Sequence, residues 1–181
     1  MRGLLLFFIS FTLLSYADIQ VLIKKYQEGK YKYVCLHGYK LFQELKKDEN
    51  LINMYAFSCL KSDYINRLAV PILLLGKTPQ SRQNRAYFSL ILAQKNLLIS
   101  ALSDNMQFNN LSVPNTDFII SKIFNLYFQK KFKKSDNIFI MKDPQKTDHS
   151  YKVYVIKKHS IPYLHIDEYV NNKIVKKHIY R

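Results

Sequence analysis

Apolar residues recur at helical spacing over the first part of this chain and at alternate positions over the last. Between residues 31 and 45, Val34, Gly38, Leu41, Phe42 and Leu45 fall on one face of a helix with 3.6 residues per turn. Leu51, Ile52, Tyr55 and Cys59 form a second stripe. Tyr87, Leu90, Ile91, Leu98, Ala101 and Leu102 form a third. Gly29 interrupts the first pattern. Thr78-Pro79 reads as a helix start, with the hydroxyl as N-cap and proline at the first helical position, where its missing N–H costs nothing. Pro71 is expected to kink its helix, because it removes one hydrogen bond and collides with the carbonyl of Arg67.

The rhythm changes after residues 105–116, a polar linker containing Pro114. Thr116 or Asp117 is placed to cap a helix running to about Lys134, with Ile120, Ile123, Phe124, Tyr127 and Phe128 as its apolar stripe. Lys130, Lys131, Lys133 and Lys134 at its end suit the negative pole of the helix dipole. Beyond Ser135-Asp136, segments 137–142, 151–158, 163–170 and 173–180 are rich in Ile, Val and Tyr. Turn signals at Asp143-Pro144, His159-Ser160 and Asn171-Asn172 separate them, which predicts an antiparallel meander of three to four strands. The predicted fold class is therefore α+β: an N-terminal α-helical hairpin array over 18–104, then a helix and a C-terminal β-meander over 117–181.

A longer period overlies the helical part. Gly29-Lys30-Tyr31, Ser62-Asp63-Tyr64 and Lys95-Asn96-Leu97 recur every 33 residues. Each is a small or polar turn before a bulky residue, between short amphipathic helices. This resembles the tetratricopeptide repeat, whose units are helix pairs of similar length. Gly29 and Tyr31, then Asp63 and Tyr64, match its turn. Pro79 stands where its closing proline would, and Ser100 supplies a small packing residue. Val34 and Arg67 replace a usual alanine. The resemblance implies stacked helix pairs, each covering its neighbour's apolar face, and a concave surface for a protein partner.

The first 17 residues follow a different plan. Arg2 precedes the apolar run Leu4–Leu14, and Ser15-Tyr16-Ala17 places small residues at −3 and −1 of a cleavage step before Asp18. This is the secretory pattern, with a core too short to span a bilayer. The chain is expected to be exported to the periplasm or secreted, with cleavage between Ala17 and Asp18. No transmembrane span is expected in the mature chain.

Composition sharpens this reading. Of 181 residues, 28 are Lys or Arg and 13 Asp or Glu, for a formal charge of +15; 48% hydrophobic content argues against disorder. The charge is densest in the C-terminal part. Lys130, Lys131, Lys133, Lys134, Lys157, Lys158, Lys173, Lys176 and Lys177 are candidates for binding polyanions. Lysine outnumbers arginine 23 to 5, which disfavours sequence-specific nucleic-acid recognition, since arginine is the better bidentate reader.

Three further features bear on chemistry. Cys35 and Cys59 flank a polar stretch centred on residue 47. If that stretch joins antiparallel helices, both thiols lie at one height, and an oxidising compartment favours a disulfide. The alternative is two buried free thiols. The Asn171-Asn172 turn sets a register that places Tyr169 opposite Ile174, Asp167 opposite Lys176, His165 opposite His178 and Tyr163 opposite Tyr180. Facing imidazoles at 165 and 178 are candidates for Zn²⁺ or Cu²⁺ if Asp167 or His159 joins them. The expectation carried forward is a half-exposed pair stacked between tyrosines, with no metal and no cofactor. Finally, no Gly-x-Ser-x-Gly, His-Glu-x-x-His, phosphate-cradling glycine loop or papain-like cysteine neighbourhood occurs. Asp167 and Glu168 are adjacent on a strand and point to opposite faces. The function expected is a non-catalytic interaction scaffold or assembly factor with a protein partner. The alternative is a basic envelope protein that binds anionic lipid, glycan or nucleic acid.

Overall fold

A computed structural model describes residues 17–108 and 111–181. The expected leader lies outside the described residues except for Ala17. The chain is α+β, with helices followed by a five-stranded antiparallel sheet. It forms two compact units divided between Ala86 and Tyr87, which places the division well before the linker expected after Asp104.

The first unit contains α1 (residues 17–27), α2 (Tyr31–Lys40), α3 (Phe42–Leu45), α4 (Glu49–Lys61), a 3₁₀ turn (Ile65–Leu68), α5 (Ala69–Leu74) and the start of α6 (Pro79–Asp104). Helices α2 and α4 run antiparallel: Tyr31 meets Lys61, Cys35 meets Cys59 and Gly38 meets Tyr55. Leu22, Val34, Leu45, Met54 and Tyr55 close the core around the two cysteines. At Gly38 the helices approach closely, and an added Cβ would sit 2.8 Å from the Tyr55 ring.

Two of the expected turns share one geometry. After α1, Gly29 N–H donates to the Tyr26 carbonyl and Lys30 N–H to Lys25. After α4, Asp63 N–H donates to Leu60 and Tyr64 N–H to Cys59. Both are Schellman closures around a left-handed residue, Gly29 at φ +72° and Asp63 at φ +65°. The third expected turn, at 95–97, does not occur: those residues lie within the continuous 26-residue α6. Gln94, Lys95, Leu98 and Ile99 are all buried there, so helical burial outweighs the local turn signal of Asn96. By length and composition alone α6 is long and apolar enough to cross a membrane, a property the sequence had not suggested for any segment. Around Pro71 the helical stretch divides into a 3₁₀ turn and the short α5. The proline occupies the third position of α5, where a missing N–H disrupts little.

Helix α6 starts as expected, with the Thr78 hydroxyl accepting from Ser81 N–H at 3.1 Å. A second acceptor serves the loop before it. The Glu49 carboxylate takes backbone N–H bonds from Gly76, Lys77 and Thr78 at 2.7, 2.8 and 3.3 Å. The Lys77 N–H leads in holding this carboxyl down to about 2. A depressed carboxylate stabilises the fold above its unfolded value of 4.5, and that contribution disappears as pH falls through about 2. Glu49→Gln is therefore expected to unfold at lower urea than the parent at neutral pH, with the two midpoints converging near pH 2. Urea titrations at several pH values check this, and a gap that persists in acid would refute it.

The second unit contains the rest of α6, α7 (Ile119–Phe128) and strands β1 (Lys133–Ser135), β2 (Ile138–Lys142), β3 (His149–Lys158), β4 (Ile161–Val170) and β5 (Lys173–Tyr180) in sequential order. Helix α7 stops at Phe128, short of the expected Lys134. Lys130, at φ +55°, closes another Schellman turn. Lys133–Ser135 instead pair with Ile138–Ile140, which adds the fifth strand. Both hairpin turns at His159-Ser160 and Asn171-Asn172 have positive φ throughout, matching the right-handed strand twist. The inner face of the sheet buries Phe139, Met141, Tyr151, Val153, Leu164, Ile166 and Tyr180. Tyr127 of α7 packs edge-on to Phe139 at 5.4 Å.

Candidate functional site

The cysteines are bonded. Cys35 and Cys59 form a disulfide with their Cα atoms 4.8 Å apart, fully buried between α2 and α4. Arg67 locks the bridge to the following turn by donating to the Cys35 carbonyl at 2.6 Å. Its guanidinium also lies over the rings of Tyr39 and Tyr64, at 4.9 and 5.1 Å. His37 takes no part, since it stacks on Tyr33 at 3.8 Å, with Nδ1 3.0 Å from the Tyr33 carbonyl.

Beside the bridge the two Schellman turns open a shallow groove of about 480 Å³, lined by Lys30, Tyr31, Lys32, Tyr33, Lys61 and Tyr64. Lys61 donates to the Tyr31 hydroxyl at 3.1 Å and sits 4.3 Å from the centre of that ring. Lys30 is held by Glu28 at 2.9 Å. The groove is basic and aromatic, without a carboxylate on its wall. Sequence periodicity located the two turns but not their convergence, because α2 and α4 had first to be placed side by side.

The expected histidine pair is not formed. The register predicted from Asn171-Asn172 holds for Val170–Lys173 and Tyr169–Ile174, then shifts by one at Glu168. Val175 is the extra residue of this bulge. From there Glu168 pairs Lys176, His165 pairs Ile179 and Ile166 pairs His178. A slip of one residue exchanges faces, because strand side chains alternate. His165 therefore lies on the outer face, stacked on Tyr154 at 4.9 Å, while His178 lies on the inner face. The two cannot share an ion, and no group of three or more metal-ligating side chains occurs among the described residues.

Each histidine has its own setting. His178 Nε2 donates to Glu168 at 2.7 Å, because a carboxylate only accepts. Its Nδ1 meets the buried Tyr180 hydroxyl at 2.9 Å. The His178 hydrogen bond holds the Glu168 carboxyl below its usual range. His165 Nε2 is buried without a hydrogen-bond partner, and burial lowers its proton affinity. Another polar cluster, missed in the sequence, ties α7 to the sheet. Lys122 donates to Asp143 at 2.6 Å and Tyr151 to the same carboxylate at 2.8 Å. Burial pushes the Asp143 carboxyl up, but these bonds and the Gln145 N–H prevail and bring it to about 2. Lys122 lies 21 residues before Asp143 and 29 before Tyr151, beyond any local pattern.

The candidate lysines do not form one patch. Lys130 and Lys131 cap α7. Lys134, Lys157 and Lys176 belong to the inner-face rows: Lys134 lies over Phe139, Lys157 pairs with Asp104 at 3.6 Å and Lys176 lies opposite Glu168. Lys173 opens β5 beside the turn. Lys133, Lys158 and Lys177 belong to the outer face, opposite Ile140, Ile161 and Asp167. There they join Lys142 and Lys152, opposite Ser150 and Asp167, which sequence reasoning had not singled out. Comparison with protein-family models, curated proteins and solved structures finds no match for this chain.

Proposed function

We propose that the chain is an exported, non-catalytic interaction scaffold in the periplasm or outside the cell, with a tetratricopeptide-like helical unit as its recognition surface. The observation that carries this reading is the buried Cys35–Cys59 bridge. Disulfides persist in oxidising compartments, in keeping with the secretory pattern of the first 17 residues. The bridge holds rigid the two helices whose ends form the groove lined by Lys30, Tyr31, Lys32, Tyr33, Lys61 and Tyr64. A rigid, basic, tyrosine-bearing groove suits an extended acidic segment of a protein partner, because no ordering of the groove's backbone is then added to the cost of association.

The test combines address and contact. The mature protein is expected in the exported fraction with Asp18 as its first residue. A photo-crosslinking side chain at Tyr33 is expected to trap one defined exported protein, and Lys32→Glu/Lys61→Glu is expected to abolish that adduct. An intact Met1 in the cytosol, or an adduct indifferent to the charge reversal, would overturn the proposal. A second reading, binding of polyanions by a basic envelope protein, is favoured by the five lysines that share the outer face of the sheet.

A further inference from the structure

We infer that the outer face of the C-terminal sheet docks flat on an anionic lipid bilayer. The inference deepens the polyanion reading and rests on it. Five lysines stand on this face, at 133, 142, 152, 158 and 177, against one acidic residue, Asp167. Between and around them Ile138, Ile140, Ile156, Ile174 and Ile179 are 36–52% exposed. Isoleucine interleaved with lysine is the chemistry of a membrane interface: the aliphatic groups enter the headgroup boundary while the ammonium groups meet lipid phosphates.

The same face disfavours the other occupants. Single-stranded nucleic acid binds by stacking bases on open aromatic rings. Here the rings are already covered: Tyr154 stacks on His165, Lys152 lies 5.0 Å above Tyr169, and Lys158 lies 5.8 Å from Tyr163. What stays exposed is aliphatic. A second copy of the chain would set five lysines against five lysines, and like charges repel. A bilayer offers both negative charge and an apolar layer to the same plane. The lysine stems reach along the sheet while their charged ends extend to the headgroups.

Sedimentation with vesicles tests this, using the protein as the cell matures it. Each lysine brought near an anionic surface strengthens binding about fivefold. Binding to phosphatidylglycerol-containing vesicles is expected to exceed binding to pure phosphatidylcholine by at least about tenfold and to weaken with salt. Lys152→Glu/Lys177→Glu is expected to lose at least about tenfold, whereas Lys24→Glu/Lys46→Glu, the same charge change on the helical unit, leaves binding within about twofold. Ile138→Ser/Ile140→Ser, at exposed positions that spare the core, is expected to weaken vesicle binding and leave retention on heparin unchanged. Equal losses in the two lysine pairs would overturn the assignment of the face. Heparin retention that depends on Lys152 and Lys177, without vesicle binding, would overturn the bilayer and leave the polyanion reading standing. Absence of both would end both.

Discussion

Reduction of the Cys35–Cys59 bridge is expected to lower the stability of the helical unit by roughly 3–4 kcal/mol. The bond joins residues 24 apart, and opening it returns the loop-closure entropy to the unfolded chain. Nothing in the folded state offsets the loss. Both sulfur atoms sit in a closed core, where freed thiols gain neither water nor a metal. Urea unfolding followed by far-ultraviolet circular dichroism, with and without reductant, measures the difference. A Cys35→Ala/Cys59→Ala variant separates loss of the bond from other effects of the reductant and is expected to behave like the reduced protein. Coincident midpoints for the oxidised and reduced forms would show that the bridge constrains little. The sheet unit contains no cysteine and serves as an internal reference.

Gly38→Ala is expected to destabilise the same unit, against the ordinary ranking of helix formers. In an open helix the change gains about 1 kcal/mol. Here the new methyl carbon would meet the Tyr55 ring at 2.8 Å and Leu45 at 3.2 Å. Tyr55 cannot swing away, because it is buried and tilted against Phe42 at 5.2 Å. Overpacking of this kind costs about 1–3 kcal/mol, so once the helix gain is subtracted the net loss is up to about 2 kcal/mol. A lowered melting temperature checks it. A raised one would mean that α2 and α4 have room to separate, and that the bridge alone sets their distance.

Both effects meet at a contact that the sequence signalled unevenly. Cys35 and Cys59 were legible as a pair because the polar stretch between them has a midpoint, and antiparallel helices are symmetrical about their connection. Gly38 was legible only as a member of a stripe, and its closeness to Tyr55 was not. The α+β division was plain in the change of period after Ser135, and the Asn171-Asn172 turn set its two nearest pairs. Past Glu168 the reading failed, because the apolar pair Ile174-Val175 does not show by itself that one of its members is an extra residue. The end of α7 failed for a related reason. Four lysines suit a helix end by charge, yet Lys133–Ser135 gain more by pairing with an adjacent strand than by extending the helix. The third 33-residue turn failed because Asn96 tolerates a turn without requiring one, and the burial of its neighbours decided for α6. The groove and the outer sheet face were least legible of all, since each gathers residues that only tertiary pairing brings together.

The bulge at Val175 also decides where this chain can lose a residue. Removing Val175 itself would leave a regular hairpin in which Glu168 still meets Lys176 and Leu164 still meets Tyr180. Removing Lys177, two positions on, would absorb the same bulge, bringing Val175 opposite Glu168 and Lys176 opposite Asp167 while His178 and Tyr180 keep their inward places. This hairpin thus forgives the loss of one residue from β5, whereas a second loss would turn His178 and Tyr180 to the outer face.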